Sequence, residues 1–325
     1  MHTQTDTPLP TKLPNIKASS KNRRIQDTLI KGLLLAIALL SASFIILIAV
    51  FVTTRGIIPF ITDNNQLGRV DVVGFLTGRV WLGGATFIST AYGAGYLIVN
   101  TLYVVFLSLL VSFPVGVLTA LFIAKIAPAA LSHAMRTIVE LLASIPSIVY
   151  GLVAAGVFLP WIHSLARAMG TQSSGGNSTF AVVIVLAMMS LPTITAVSEV
   201  AIRSVDKNLE HASLALGASP TQTHFKVVLA AAKSGIFAGA ILAVGRALGE
   251  ATAVSLVAGS SRSGPNLGLF DITATITSTM LEGMKETSGI DYDIRFSLGV
   301  LLMAVILITN FLLNFIKRKV GKIHV

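Results

Sequence analysis

Six apolar runs, each long enough to cross a bilayer, constrain this chain more than any other feature. They lie at about Gly32–Thr53, Tyr96–Ala124, Leu141–Ile162, Phe180–Val197, Ser234–Val257 and Phe296–Phe315, and a helix needs roughly 20 apolar residues to span the hydrocarbon layer. The fold class expected is therefore all-α, a polytopic membrane protein with six transmembrane helices. Hydrophobic residues make up 54% of the chain and charged residues only 12%, against about 25% charged in a soluble domain. A soluble core could not hide so much apolar surface. An even number of spans places both termini on one side.

Charge orients the spans. A net charge of +10 suits nucleic acid or an anionic membrane surface equally, so the positions of the basic residues have to decide. With a cytoplasmic N-terminus, the outer segments hold Arg55, Arg69, Arg79, Arg167, Arg262, Lys285 and Arg295. The inner segments then hold Lys12, Lys17, Lys21, Arg23, Arg24, Lys31, Lys125, Arg136, Arg203, Lys207, Lys226, Lys233, Lys317, Arg318, Lys319 and Lys322. That asymmetry follows the positive-inside rule. The excess charge reports topology in a lipid membrane, and no nucleic acid is expected as a partner.

The organisation expected is a disordered cytoplasmic tail at 1–28, a first transmembrane helix at 29–54 and a periplasmic loop at 55–95. A core of five helices follows at 96–317, with a cytoplasmic loop at 203–233 and a periplasmic loop at 259–295, and then a cytoplasmic tail at 318–325. Pro8, Pro10, Pro14 and scattered charge mark the first tail. The first apolar run exceeds a signal-peptide core of about 7–15 residues and lacks a small-residue cleavage site after it, so it is expected to stay as an anchor.

The break at 203–233 is polar enough to leave the membrane, yet it carries the pattern of a folded element. From Lys207 to Leu216, Leu209, Ser213 and Leu216 fall at i, i+4 and i+7 on a short helix that Gly217 stops. Ser219, Pro220 and Gln222 then read as an N-cap, a first-turn proline and the third residue of a capping box, so a second helix begins at Pro220 and runs through Phe225 and Val228. Two capped helices with an apolar face fit an amphipathic pair lying on lipid or a docking knob for a soluble partner; the second reading is the sharper one.

Several chemistries are excluded. With no cysteine in the chain, disulfides, thiolate metal sites and cysteine nucleophiles are absent. The histidines form no pair at ligand spacing, and there is no HExxH, GxxxxGK[ST] or GxSxG pattern. No cofactor is expected, and if ATP drives this machine another chain must hydrolyse it.

The most costly residues in the membrane are Arg246 and Glu250, in GRALGEATAV of the fifth run. On a straight helix from Lys233, Arg246 lies roughly 20 Å in, beyond the midplane, with Glu250 one turn further. At i, i+4 the two would share a face with Gly239, Leu242, Gly249 and Ala253 and meet each other. They fit an internal ion pair that fixes packing, or a substrate pathway, and the default for intramembrane charge favours the pathway. A guanidinium there attracts anions and matches phosphate oxygens in a bidentate fork. Glu250 would hold Arg246 when the path is empty and accept a hydrogen bond from a P–OH when it is filled.

Lesser signals carry open readings. Pro114, Pro146 and Pro160 interrupt membrane runs, and Pro146 either lines the path or bends a helix. Gly235xxxGly239 and Gly245xxxGly249 permit close helix contact. Glu140 and Glu199 read as interfacial carboxylates, and Asn100 and Thr101 as pathway groups or helix caps. In 259–295, Asp271 reads as a helix cap, while Glu282, Glu286, Asp291 and Asp293 form either a docking face or a solvated one.

The 203–233 segment resembles the coupling loop of ATP-binding-cassette (ABC) importer permeases, whose pattern is Glu-Ala-Ala, three residues, Gly, nine residues and Ile-x-Leu-Pro. Anchored on Gly217, this chain has His211-Ala212-Ser213 at the opening and Val227-Val228-Leu229-Ala230 at the close. The opening glutamate and the final proline are missing. Glu210 stands one place early, about 100° round the helix.

RALGEATAVSLVAG at Arg246–Gly259, TITST at Thr275–Thr279, IVELLASIPSIVYGL at Ile138–Leu152 and FLTGRVW at Phe75–Trp81 are similar to PstC-type permeases of bacterial phosphate importers, whereas HASLALGAS is closer to the sister PstA-type permease. The resemblance implies a type I ABC importer permease fold with a cytoplasmic helix-turn-helix coupling loop in the bacterial inner membrane. It also implies a PstA-type sister permease, two ATPase subunits and a phosphate-binding protein as partners. On this reading Arg246 and Glu250 belong to the substrate pathway, and Glu210, His211, Ala212, Ser213, Gly217 and Leu229 to the ATPase-coupling loop. A permease for another anion or small polar solute, and an ATPase-independent channel or membrane enzyme, remain as alternatives.

Overall fold

The computed structural model describes residues 16–62, 69–83 and 91–321. Residues 1–15 of the tail expected at 1–28 and 322–325 of the tail expected at 318–325, with Lys12 and Lys322, lie outside the described residues, as do 63–68 and 84–90 of the expected 55–95 loop. The chain divides into two units, residues 1–51 and 52–325, and each is described by itself.

In the first unit the chain is helical from Ile16, the start of α1 (Ile16–Ile61). The disordered tail expected through residue 28 thus gives way to helix over 16–28. The last proline of the N-terminal cluster is Pro14, and the Lys, Arg and Gln residues beyond it are good helix formers that extend the membrane helix. Leu33, Leu34, Leu35, Leu39, Leu40 and Ile45 point outward all round this helix, the apolar surface expected of a segment solvated by lipid.

The second unit holds the end of α1 and the remaining helices. A short helix α2 (Val72–Thr77), capped by the Asp71 carboxylate on Gly74 N, and a two-residue ladder of β1 (Trp81–Leu82) with β2 (Ala91–Tyr92) precede the next span. α3 (Gly95–Leu121) follows and ends in a π-helical turn, Phe122–Ile126. α4 (Ala129–Ser144) and α5 (Ser147–Val153) come next, then a second π turn, Ala154–Phe158, and α6 (Leu159–Ala168). α7 (Thr179–Arg203) leads to α8 (Lys207–Ala215) and α9 (Pro220–Gln222), and a third π turn, Thr223–Val228, joins α9 to α10 (Leu229–Gly249). α11 (Thr252–Val257), α12 (Ile276–Leu281) and α13 (Ile290–Gly321) complete the chain.

Among the described residues six helical spans are long and apolar enough to cross a membrane: Gln26–Ile61, Gly95–Ile126, Ser147–Ala168, Thr179–Arg203, Pro220–Gly249 and Ile290–Lys319. Two differ in substance from the expected runs. The third is interrupted at Ile145-Pro146, because a residue preceding proline is pushed out of the helical region and Pro146 starts α5 with extended backbone (φ −59°, ψ 141°). The fifth begins at Pro220 instead of Ser234 and ends at Gly249, before Glu250.

α3, α7 and α10 pack side by side and form the centre of this unit, with α13 against α10 and α12, α4 against α7, and α5 against α11. Close approach depends on small residues. A Cβ on Gly116 would lie 2.8 Å from Ile194, and one on Gly235 2.4 Å from the Ala201 Cβ. Gly235 and Gly239 are therefore the contact of α10 with α7, the packing role expected of that pair. Gly245 and Gly249 differ: a Cβ on either would meet nothing within 4 Å, so they lie on an open face of α10 with exposed Leu242.

Residues 259–289 are not a solvated loop throughout. Thr273 to Thr279 are buried and folded back against α3. Asn100 donates to the Ala274 carbonyl (3.3 Å) and accepts from Asn266 N (3.0 Å), while the Thr101 hydroxyl accepts from Ile276 N (3.0 Å). Asn100 and Thr101 thus anchor this segment as buried residues. The cap of α12 is Thr275, in a capping box with Ser278, and Asp271 does not serve as the expected cap.

Candidate functional site

Glu250 is where the fifth run changes direction. Its backbone is extended (φ −73°, ψ 119°), so α11 does not continue the axis of α10. Its carboxylate accepts from Ala253 N at 3.0 Å, and the carbonyl of the same residue accepts from the Thr277 hydroxyl at 2.7 Å. The expected i, i+4 pair is consequently not formed. Among the described residues no ion pair joins Arg246 to Glu250, because a break between them rotates the two side chains apart. Gly239 and Ala253 do not border open room with them either: Gly239 packs on Val197, and Ala253 is fully buried.

Each charge is accommodated separately. Arg246 stands in the last turn of α10, where the negative end of the helix dipole favours a cation. Glu250 accepts one of the otherwise unpaired first-turn N–H groups of α11. Both side chains are half-buried, and Arg246 lies beside the open strip of Leu242, Gly245 and Gly249. The Tyr150 hydroxyl of α5 lies within electrostatic reach of Arg246 and donates to the Leu142 carbonyl at 2.8 Å. Next to it, Gly151 carries the crossing of α5 over α11, where a Cβ would come within 2.8 Å of Leu256 and 2.9 Å of Ala253. Gly151→Val is expected to push α11 and the Glu250 turn aside at a cost of about 1–3 kcal/mol; a lowered thermal midpoint of the purified protein in detergent measures it, and an unchanged midpoint would show that the crossing yields freely.

The second constellation is the hairpin. Asp206 caps α8 on Asn208 N (2.9 Å), Gly217 makes the turn at φ +85°, and Ser219 and Gln222 exchange both bonds of the expected capping box. Ser213 is bonded to Thr223 at 2.9 Å across the turn, so it zips the hairpin and does not face outward. The Glu210 carboxylate turns inward to Lys125 in the π turn that ends α3, and Leu229 packs in the small core of Ala120, Leu121, Ile202, Val228, Ala232 and Ile236. His211, Ala212 and Gly217 remain exposed, and Leu216 is 89% exposed at the tip. The second expected helix is the first turn of the fifth span and not a separate element.

Among the described residues, no group of three or more His, Asp or Glu is placed to hold a metal ion. The geometry offers a polar break inside a helical bundle and a rigid apolar knob at one end. The family model for the binding-protein-dependent transport system inner membrane component matches residues 112–322, from within α3 to the chain's last residues. The chain belongs to this family. It is accordingly a multi-pass inner-membrane transport subunit and not an enzyme.

Among similar proteins, the probable ABC transporter permease protein YqgH of Bacillus subtilis (strain 168) is 32% identical over 307 residues, covering 93% of this chain and 95% of the relative. The phosphate transport system permease protein PstC of Pasteurella multocida (strain Pm70) is 32% identical over 253 residues, covering 72% and 79%. In fold, the permease is similar to a chain in the crystal structure of a bacterial alginate ABC transporter in complex with an alginate pentasaccharide-bound periplasmic protein. The TM-score is 0.62 at 19% identity, covering 94% of this chain and 99% of that one.

One cluster of the permease escaped sequence reasoning. Glu199, expected to be a simple interfacial carboxylate, is 5% exposed and accepts from Arg136 of α4 and from Arg203 Nε (2.7 Å) on the same oxygen. The carboxylate pushes the Arg136 guanidinium further up, so Arg136 stays charged. The i, i+4 spacing of Glu199 and Arg203 was a readable signal; the third member, 63 residues upstream, was not.

Proposed function

We propose that this permease carries inorganic phosphate across the inner membrane as one half of an ATP-driven importer, paired with a PstA-type sister permease. Two ATPase subunits and a phosphate-binding protein complete the assembly. The observation that carries the reading is the half-buried Arg246 beside the open face of α10, in a chain whose relatives include PstC phosphate permeases. Basic-residue placement supports a hairpin on the cytoplasmic side with both termini, facing the ATPases, and the opposite end toward the binding protein.

In this reading a phosphate leaving the binding protein meets Arg246, whose planar fork holds two of its oxygens. Glu250 keeps one carboxylate oxygen on Ala253 N and offers the other to a P–OH, a proton that fully ionised sulfate lacks. It acts beside Arg246 as an independent group, because the break separates them. ATPase closure displaces the hairpin and moves the bundle between two discrete arrangements.

The reading is tested by labelled phosphate uptake in cells whose only high-affinity phosphate permease contains this chain. Saturable, ATP-dependent uptake that excess sulfate does not compete is the expected result. Equal competition by sulfate, or uptake of another solute in its place, would overturn it.

A further inference from the structure

The hairpin end carries more buried charge than an outward docking knob requires. A carboxylate as deep as Glu199 demands partners, and both of its arginines come from helices that meet at the root of the hairpin. Arg203 stands three residues before the Asp206 cap of α8. Its Nη2 donates to the Ile123 carbonyl (3.1 Å) and to the Ser132 hydroxyl (3.2 Å), and Ser132 itself donates to Ile123 O (2.9 Å). Ile123 belongs to the same π turn as Lys125, which holds Glu210 of α8. Through Ser132 and, with charge, through Arg136 the cluster reaches α4.

We propose that Glu199 is a positioning residue for transport, fastening α4 to the root of the hairpin so that hairpin displacement is delivered to the third span. The inference rests on the reading above that ATPases drive the hairpin. Beyond α4 the route is continuous. The Tyr150 hydroxyl on the Leu142 carbonyl closes the gap at Ile145-Pro146 and makes α5 follow α4. Gly151 of α5 sits against Ala253 of α11, whose N–H holds the Glu250 carboxylate. The chain of contacts thus runs from the docking hairpin to the break in the fifth span without crossing open space. Such a route becomes a mechanism only if breaking it changes coupling between the two sites.

Arg136→Gln is the sharper test, because it removes the charged tie of α4 to Glu199, leaving only the neutral Ser132 contacts, while Glu199 stays satisfied by Arg203; Glu199→Gln loosens both arginines, and Arg136→Lys keeps the charge. The full complex is reconstituted in liposomes with its sister permease, ATPases and binding protein. The chain contains no cysteine, so cysteines introduced at the exposed Thr137 (α4) and Asn208 (α8) take spin labels uniquely within it. In the wild type the 137–208 distance is expected to be the same with and without trapped ATP, since the two helices move as one body. In Arg136→Gln the distance broadens and shifts between states, and phosphate moved per ATP falls at least about fivefold, the lower end of ordinary coupling factors. Assembly and ATP hydrolysis persist, and Arg136→Lys restores much of the ratio. Unchanged distances and an unchanged ratio would overturn the proposal, as would transport and ATP hydrolysis falling together with the ratio preserved, which marks a structural staple. The label distances need only ATP, so a wild-type complex that moved no phosphate would sink the substrate reading while the distances still decided this one.

Discussion

Replacing Arg246 with glutamine is expected to abolish phosphate uptake while the importer still assembles. The substitution keeps most of the side chain's length and one amide donor but removes the charge. Truncating one member of a desolvated, hydrogen-bonded charge pair costs on the order of 2–5 kcal/mol, and about 3 kcal/mol is already more than a hundredfold in affinity. The cost to the fold is much smaller. Arg246 has no counter-ion among the described residues, and the last-turn interaction it gives up is worth about 0.3–1 kcal/mol. Transport should therefore collapse where stability hardly moves. Arg246→Lys should fall between, because an ammonium retains charge without the fork. The measurement is uptake at matched membrane abundance; retained uptake in the glutamine variant would return Arg246 to a packing role.

The second large effect is expected at Leu216→Asp. Leu216 is 89% exposed at the end of α8, beside the left-handed Gly217 that fixes where it points. An apolar side chain held this far out on a turn secured by two caps and the Ser213–Thr223 bond has little to do inside its own chain. Exposed substitutions of this kind change stability by about 0.5 kcal/mol or less. Burying a leucine in a partner's cleft is worth about 1.5–3 kcal/mol, and a carboxylate there also has to be desolvated. Copurification of the ATPase subunits should fall by roughly 10–100-fold, consistent with that loss, with the permease itself folded normally. Undiminished copurification would remove Leu216 from the docking surface.

How far these sites could be read from residues alone depended on the range of the forces involved. The spans were legible because lipid imposes length and apolarity on each helix separately. The Gly217 turn and the Ser219–Gln222 box were legible because both are local. The break at Glu250 was not: glutamate is an uncommon helix cap, and GRALGEATAV is rich enough in alanine and leucine to read as one helix. What turns the backbone there includes Thr277, donating to the Glu250 carbonyl from far along the chain. The burial of Thr273–Thr279 depends likewise on Asn100 and Thr101, and that of Glu199 on Arg136. Of the residues expected to form a coupling loop, Glu210, Ser213 and Leu229 turn inward because Lys125, Thr223 and the small core around Ile202 claim them. Periodicity fixes a helix face but cannot say which neighbour it will meet.

The merging of the hairpin's second limb with the fifth span has a mechanical consequence. From Pro220 to Gly249 the chain is one helical rod of 30 residues, about 45 Å long. If ATPase closure displaces the hairpin as proposed, such a rod would turn as a lever about the place where Gly235 and Gly239 press on α7. Its longer arm, about 25 Å, carries the knob and its shorter arm, about 14 Å, carries Arg246, so a swing of ten degrees moves the knob by about 4 Å and Arg246 by about 2 Å the other way. A modest push on the knob would thus reach the guanidinium reduced by about half, yet an added 2 Å or so is enough to break a hydrogen bond to the ion it is proposed to hold.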